Sequence, residues 1–384
     1  MTWLDPARFL NDIALVQVWD ALPEARIVGG AVRDALADRP VADIDLATPR
    51  GPEAVMQALT AAGLRVVPTG LPHGTVTAVA GGRGFEITTL RRDVHTDGRH
   101  AVVAFTADWR EDASRRDFTI NAMSLTRDGT VFDYFGGAQD LAAGRVRFVG
   151  DAATRIQEDY LRILRYFRFF ARYGGQEPDA ATQAALVGGI PGLRILSIER
   201  VWTELRLILA TPTPWAAIAL MRRLGIWAAV LPEATAGPRP DLPADPVLRL
   251  AALLTGDPLS LAARLKLSND DRDRLVRLRA TPSPRATDDD NALRRLLADH
   301  HRADLIGRTW LDDGPGAALL RERLHALPRP VFPLEGRDVV GLGVAPGPAV
   351  GNLLRAVRQW WLDGGCTATR NDCRAELVRR ACAA

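Results

Sequence analysis

The sequence predicts a mixed α+β head that gives way to an all-helical remainder. Three observations carry this expectation. Between residues 26 and 90, apolar and polar side chains alternate in short runs separated by glycine, which is the period of strands. From Asp151 onward the apolar spacing turns helical, with Gly and Pro between one run and the next. At 384 residues the chain also exceeds a single ordinary core of roughly 100–200 residues, and the change of texture puts a boundary near residues 149–152.

Taken in order, residues 26–28 read as a short strand, Gly29-Gly30 as a turn and residues 31–37 as a helix. Residues 41–47 alternate as a strand does, with Ala42, Ile44 and Leu46 on one side and Asp43 and Asp45 on the other. Residues 51–62 have helical spacing, and residues 75–80 and 85–90 flank Gly81-Gly82-Arg83-Gly84, a hairpin signature. Neither GxGxxG nor a Walker A sequence occurs, so the head is not a Rossmann or P-loop unit. Asp151 is placed to cap one helix reaching residue 172, and helices are expected at 197–209, 214–223, 246–254 and 291–298. Pro-rich stretches at 232–246 and 282–284 read as linkers, and a Gly- and Pro-rich turn up to Gly351 precedes a helix at 352–362.

With 47% hydrophobic and 25% charged residues the chain is globular, not disordered, and 49 basic against 46 acidic residues leave only +3. That balance does not by itself point to nucleic acid. Every basic residue except Lys266 is arginine. Cys366, Cys373 and Cys382 lack CxxC spacing and leave one over from any pairing, as expected of a reduced chain. Asp5, Asp12 and Asp20 near the start, without a basic leader, are unlike a signal peptide, and the apolar run at 215–220 stops at Arg222-Arg223, far short of a membrane span. A cytoplasmic protein with no membrane partner is expected.

The densest chemical signal is Ile27-Val28-Gly29-Gly30-Ala31-Val32-Arg33-Asp34 followed by Asp43-Ile44-Asp45. On a strand, Asp43 and Asp45 project side by side, and like charges held together call for a cation; two Mg²⁺ ions roughly 4 Å apart serve this purpose in nucleotidyl transfer. A solvated strand edge with two acids is the plain alternative. Glu86 alternates with Phe85 and Ile87 and is either a third carboxylate of the same cleft or an exposed strand residue. Gly29 and Gly30 let the backbone approach an anion at a helix N-terminus, where phosphate oxygens find unpaired N–H groups, with Arg33 nearby.

Two later stretches carry paired charges. Arg115-Arg116-Asp117 can bind phosphate and ribose, or pair locally with Asp112. On a continuous helix Asp159 and Arg162 share a face, which makes either a surface salt bridge or a base-reading pair. Arg donates and Asp accepts, and cytosine and adenine both place a ring-nitrogen acceptor beside an amino donor, while uracil and guanine present the reverse order. Such a pair admits CTP and ATP and refuses UTP and GTP. Arg155, Arg165, Arg168 and Arg172 form an Arg-bearing face that either lines an RNA path or is simply solvated.

In order and spacing, Gly29-Gly30-x-Val-Arg-Asp with Asp43-x-Asp45, then Arg115 to Ala122, then Glu158-Asp159-x-x-Arg162 resemble motifs A, B and D of the class II tRNA nucleotidyltransferases, the CCA-adding enzymes. These share a head with bacterial poly(A) polymerases. Residues 132–137 with Asp140-Leu141 resemble the head–neck hinge motif, and residues 199–206 the neck-helix motif E. The resemblance is close over residues 25–210 and loose beyond. It implies a polymerase-β-like head at 1–150, a helical neck at 151–232 that recognises the base, a body at 233–330 and a tRNA-binding tail at 331–384. It also implies Mg²⁺ on Asp43 and Asp45, the triphosphate near Gly29, Gly30 and Arg33, and ribose and phosphate contacts from Arg115, Arg116 and Asp117. Asp159 and Arg162 would read CTP and ATP, with tRNA as the acceptor. Residues 89–93 and 95–99 resemble the flexible loop required for the terminal A. No His is followed by Asp, so the HD phosphohydrolase of longer relatives is not expected. A poly(A) polymerase, a partial CC- or A-adding enzyme and an inactive tRNA-binding module remain as alternatives; retention of both Asp43 and Asp45 speaks against the last.

Overall fold

The computed structural model describes residues 2–96 and 101–382, and the chain divides into two compact units, Met1–Pro232 and Glu233–Ala384. In the first, the strands are β1 (Thr2–Trp3), β2 (Arg26–Val28), β3 (Asp45–Thr48), β4 (Arg65–Gly70), β5 (Thr75–Ala80), β6 (Arg83–Thr89), β7 (Arg91–Thr96), β8 (Ala101–Phe105), β9 (Met123–Leu125) and β10 (Thr130–Asp133). Eight of them form one sheet in the order β1-β10-β9-β2-β3-β6-β5-β4, and β7 pairs with β8 as a separate ribbon. Among the described residues β3–β6 is the one parallel pairing of the large sheet. Residues 97–100 lie outside the described residues, among them 97–99 of the stretch expected to act as a loop.

Side-chain alternation decides what each face of this sheet does. Ile27, Leu46, Val76 and Ile87 join the main core with Leu15, Val18 and Trp19 of the helix Ile13–Ala21 and Val55 and Leu59 of the helix Pro52–Ala61. Each such burial contributes about 1.5–3 kcal/mol. With a period of two, Val28, Asp45 and Ala47 are left to the opposite face, where Val28 and Ala47 pack with Leu90. The β5–β6 hairpin closes on Gly81 (φ +56) and Gly82 (φ +76), a two-residue turn that pairs Ala80 with Arg83. It is shorter than the four-residue turn expected, so β6 begins at Arg83.

Strand β3 also differs from its expected span. β2 is short and turns away at Gly29, so Val28–Asp45 is the last pair of that ladder, and the parallel ladder to β6 likewise ends at Asp45, beside Glu86. Asp43 therefore precedes the strand, in irregular backbone, and the two aspartates are not i and i+2 neighbours on one strand face.

The helical segment after residue 150 also departs from its expected form. Asp151 caps the helix Ala152–Glu158 through Thr154 N at 2.8 Å, but the helix stops there and a second one spans Leu161–Tyr173. Asp159 is extended (φ −157, ψ 108), and its carboxylate accepts from Leu161 N at 3.0 Å. This local side-chain bond competes with helical pairing and wins, although the apolar spacing runs on through the break. The ring of Tyr160 packs over Gly192, where a Cβ would lie 2.1 Å from it. Below the break, Phe118, Phe148 and Phe169 cluster with Tyr166, with ring centroids 4.9 Å apart for Phe118–Phe148 and 5.2 Å for Phe118–Phe169. The cluster ties the head to the helix Leu161–Tyr173.

The second unit contains no strand among its described residues. Some of its helices start on side-chain caps, including Asp245 ahead of Pro246–Leu253 and Asp289 ahead of Asp290–Asp299. Its core includes two apolar clusters, one around Leu293, Leu297 and Leu305, the other around Val357, Trp361 and Leu377.

The close fit at the neck break yields a stability test. Gly192→Ala should lower the melting temperature by the equivalent of roughly 1–3 kcal/mol through overpacking against Tyr160, whereas Gly188→Ala, with open space around its Cβ, should not. Equal melting curves for the two variants would contradict the packing described.

Candidate active site

Asp45 opens onto a cavity of about 460 Å³ on the sheet face opposite the main core. Gly29, Gly30 and Arg33 border it from the turn and the helix Gly30–Leu36. Arg115, Arg116 and Asp117 border it from the segment after the helix Trp109–Ser114, and Asp159 and Arg162 from the neck break. Asn121, Arg165, Arg168 and Phe169 complete the lining. Six arginines against three aspartates make this lining cationic, as a polyanionic ligand requires. Asp43 and Glu86 do not border the cavity; both are exposed.

Each lining charge is held by an identifiable partner. Gly29 has φ +68, and a Cβ there would sit 3.0 Å from Arg116 Nη1, so glycine serves both the left-handed turn and the approach of the guanidinium. Arg33, 8% exposed, pairs with Asp34 at 3.1 Å, lies over the Tyr173 ring at 4.6 Å and donates from Nη1 to Asn121 Oδ1 at 2.5 Å. Tyr173 donates its hydroxyl proton to Asp34. Burial alone would raise the Asp34 carboxyl, but the hydrogen bonds from Arg33 and Tyr173 hold it below the usual range. Arg115 and Arg116 both pair with buried Asp112, at 3.1 and 3.3 Å. The local ion pairs and the cavity lining are thus the same residues.

Asp117 accepts from Asn121 Nδ2 at 3.0 Å, Arg165 Nε at 2.7 Å and Phe118 N at 2.9 Å. Burial opposes its ionisation, yet the Arg165 charge and these hydrogen bonds outweigh burial and hold the carboxyl below its ordinary range. Arg168 pairs with buried Glu204 at 3.1 Å. At the break, Asp159 Oδ2 accepts from Arg200 Nη2 at 2.8 Å, while Arg162 donates to Glu158 and to Arg155 O, the latter at 2.9 Å. The two residues meet at the cavity through the break and not as an i, i+3 pair on one helix face.

At the acidic edge, burial raises the Asp45 carboxyl above its ordinary range, the charges of Glu86 and Asp43 add to the rise, and Arg116 opposes it. An all-oxygen donor set short of positive charge suits a hard divalent cation. Among the described residues no three His, Cys, Asp or Glu side chains converge into a protein-only metal site. One or two carboxylates completed by substrate phosphates and water is the usual arrangement for such an ion.

Comparison with known proteins gives this geometry its context. A family model described as "Poly A polymerase head domain" matches residues 25–147, and one described as "Probable RNA and SrmB- binding site of polymerase A" matches residues 177–237. The chain is 39% identical over 375 residues to the human protein named CCA tRNA nucleotidyltransferase 1, mitochondrial, covering 89% of this chain and 83% of the relative. The chain belongs to the CCA tRNA nucleotidyltransferase family. A CCA-adding enzyme of Leuconostoc citreum is 44% identical over 190 residues, 48% of this chain and 45% of that protein. The fold matches the crystal structure of the Bacillus stearothermophilus CCA-adding enzyme in complex with CTP, with a TM-score of 0.75 and 26% identity over 100% of this chain and 99% of that one. As a CCA tRNA nucleotidyltransferase the chain is an enzyme of nucleotidyl transfer, a chemistry that in this family implies a divalent metal.

The sequence reading assigned no role to Asn121 and Phe169, and left Arg165 and Arg168 on a generic basic face. A signal was present: Arg162, Arg165, Arg168 and Phe169 recur at helical spacing along Leu161–Tyr173. Because the folded-state pKa of Asp117 is depressed, its contribution to stability is present above its unfolded value of about 3.8 and is lost as pH falls through the depressed value. Asp117→Asn should therefore lower the melting temperature at neutral pH and flatten its fall as pH drops below about 4. An acid profile parallel to that of the wild type would contradict the pairing of Asp117 with Arg165.

Proposed function

We propose that this chain adds C, C and A to the 3′ end of tRNA from CTP and ATP without a nucleic-acid template. One observation carries the reading: a single cavity joins a glycine turn and arginines suited to a triphosphate, an acidic strand edge, and an Arg/Asp pair suited to the shared edge of cytosine and adenine. The names of the relatives and the CTP in the Bacillus stearothermophilus structure support the substrates.

In the proposed reaction the tRNA 3′ oxygen bonds to the α-phosphorus of the bound nucleotide. The α–β phosphoanhydride bond breaks, and pyrophosphate leaves. The backbone at Gly29-Gly30, with Arg33, Arg115 and Arg116, seats the triphosphate and takes up charge developing on it. Asp117 and Asn121 border the ribose. Arg162 donates to the ring nitrogen of the base and Asp159 accepts from its amino group. Asp43 and Asp45 would hold magnesium, with Glu86 adding to the negative field; when bound, the metal makes the attacking hydroxyl more acidic and neutralises phosphate charge. The rest of the rate enhancement is positioning.

We assign catalysis to residues 1–150, base recognition to 151–232, and the holding of tRNA to the body, 233–330, and tail, 331–384. The enzyme is placed in the cytoplasm, where its three free cysteines stay reduced. No helix among the described residues is long and apolar enough to cross a membrane.

The decisive experiment supplies purified protein with tRNA lacking CCA, Mg²⁺ and each labelled nucleotide in turn. Addition of three residues followed by a stop supports the reading. A long A tail points to a poly(A) polymerase, shorter addition to a partial enzyme, and binding without addition to an inactive module. Asp43→Ala and Asp45→Ala should each reduce incorporation by on the order of 10³-fold or more with tRNA binding retained; unchanged turnover in either would remove it from the metal site. Arg162→Ala should reduce the preference for CTP over UTP by roughly tenfold or more, and unaltered selectivity with lost triphosphate affinity would refute its role.

A further inference from the structure

Resting on that reading, we infer that Tyr173 is a positioning residue for triphosphate binding: from outside the cavity it holds Arg33 at the phosphate site by way of Asp34. Tyr173 is the last residue of the helix Leu161–Tyr173 and does not border the cavity, whereas Arg33 does.

Helix geometry explains why such a residue is needed. Arg33 and Asp34 are neighbours in the helix Gly30–Leu36, and side chains one position apart on a helix do not face each other. Here they nevertheless form a buried fork, with Nε and Nη2 of Arg33 each donating to Asp34 Oδ1 at 3.2 Å and Nη2 also to Oδ2 at 3.1 Å. A local preference is overridden, so a group outside the helix must fix the carboxylate. The Tyr173 hydroxyl does this by donating to Oδ1, the oxygen that Arg33 shares. The Tyr173 ring centroid also lies 4.6 Å from the Arg33 guanidinium carbon, and Phe169, stacked on Tyr173 from one turn earlier, lies 5.1 Å from it. Arg33 thus rests on two neck rings while Nη1 reaches Asn121 Oδ1 on the head at 2.5 Å. Nη1 carries a second N–H, and the orientation of the guanidinium decides whether that group and its charge face a phosphate oxygen.

Tyr173 is itself tied to the head. Arg39 lies 4.8 Å from its ring centroid and donates from Nη2 to Arg172 O at 2.7 Å, at the helix end whose carbonyls attract cations. A competing cation stands close by: Arg172 Nη2 is 3.9 Å from Asp34 Oδ2. Without the Tyr173 hydroxyl, Asp34 turns toward Arg172, the fork to Arg33 opens, and Arg33 regains rotamer freedom that phosphate binding must then remove. Base reading is left alone. Arg162 sits near the other end of the same helix, roughly 16 Å away at 1.5 Å per residue. The loss therefore falls on the triphosphate, which CTP and ATP have in common.

The test compares wild type, Tyr173→Phe and Tyr173→Leu in two measurements. Calorimetry with Mg²⁺ present gives the dissociation constants of CTP, ATP and inorganic pyrophosphate. Single-nucleotide addition gives kcat and KM for CTP and UTP on tRNA lacking CCA, and for ATP on tRNA ending in CC. Tyr173→Phe, which removes the hydroxyl and keeps the ring, should weaken all three ligands by one common factor of about three- to tenfold. KM for CTP and ATP should rise by the same factor, and the CTP/UTP ratio of kcat/KM should stay at its wild-type value. Tyr173→Leu should show the same pattern with a larger factor. A lower melting temperature with unchanged affinities in both variants would mark a merely structural contact and overturn the inference. It is equally overturned if the nucleotides weaken while pyrophosphate does not, or if the CTP/UTP ratio falls. Wild-type protein that binds the three ligands yet adds neither C nor A to tRNA would instead overturn the proposed function, so the two failures are distinguishable.

Discussion

The polar architecture of the site hangs on one buried carboxylate. Asp117 binds Arg165 of the neck and Asn121 of the head, and Asn121 in turn receives Arg33 from the helix that follows the glycine turn. A charge taken out of water in this way is tolerable only with its partners present, and removing one partner of such a pair costs about 3–5 kcal/mol. The aromatic cluster of Phe118, Phe148, Tyr166 and Phe169 packs beside the same junction. The phosphate-side and base-side groups therefore share a single support, and displacement of the neck displaces both.

Much of this was legible in the residues themselves. Glycine at 29 and 81–82, side-chain caps such as Asp151, and the alternation around Leu46 and Ile87 are local signals, set by backbone strain, capping and the period of a strand, and each marks an element that formed, though with a different span for the hairpin turn, β3 and the helix after Asp151. What a linear reading does not contain is partner length and competition. Asp43 fell outside β3 because β2 is only three residues long, a property of another segment. Helical spacing ran unbroken past Asp159, yet a carboxylate bonding two residues ahead ended the helix there. Asn121 was not legible as a site residue for a related reason: its part is defined by what long-range packing places opposite it.

The break at Asp159-Tyr160 shows why a base-reading pair benefits from sitting at a helix boundary. Within a continuous helix, Asp159 and Arg162 would neutralise one another as an ordinary surface pair. At the boundary each instead takes a partner from elsewhere, Arg200 for one and Glu158 for the other, and Tyr160 anchors the gap against Gly192.

The cavity draws its cations from arginine alone, since the sole lysine of the chain, Lys266, lies in the other unit. Guanidinium groups stay protonated at any pH the fold survives and are far poorer nucleophiles than amines. The phosphate-binding charge is thus insulated from acetylation, carbamylation and Schiff-base formation, and its magnitude stays constant across the working pH range. Any pH dependence of turnover must then arise from the acids, the nucleotide or the attacking hydroxyl, and lysine acylation has no residue through which to discharge this surface.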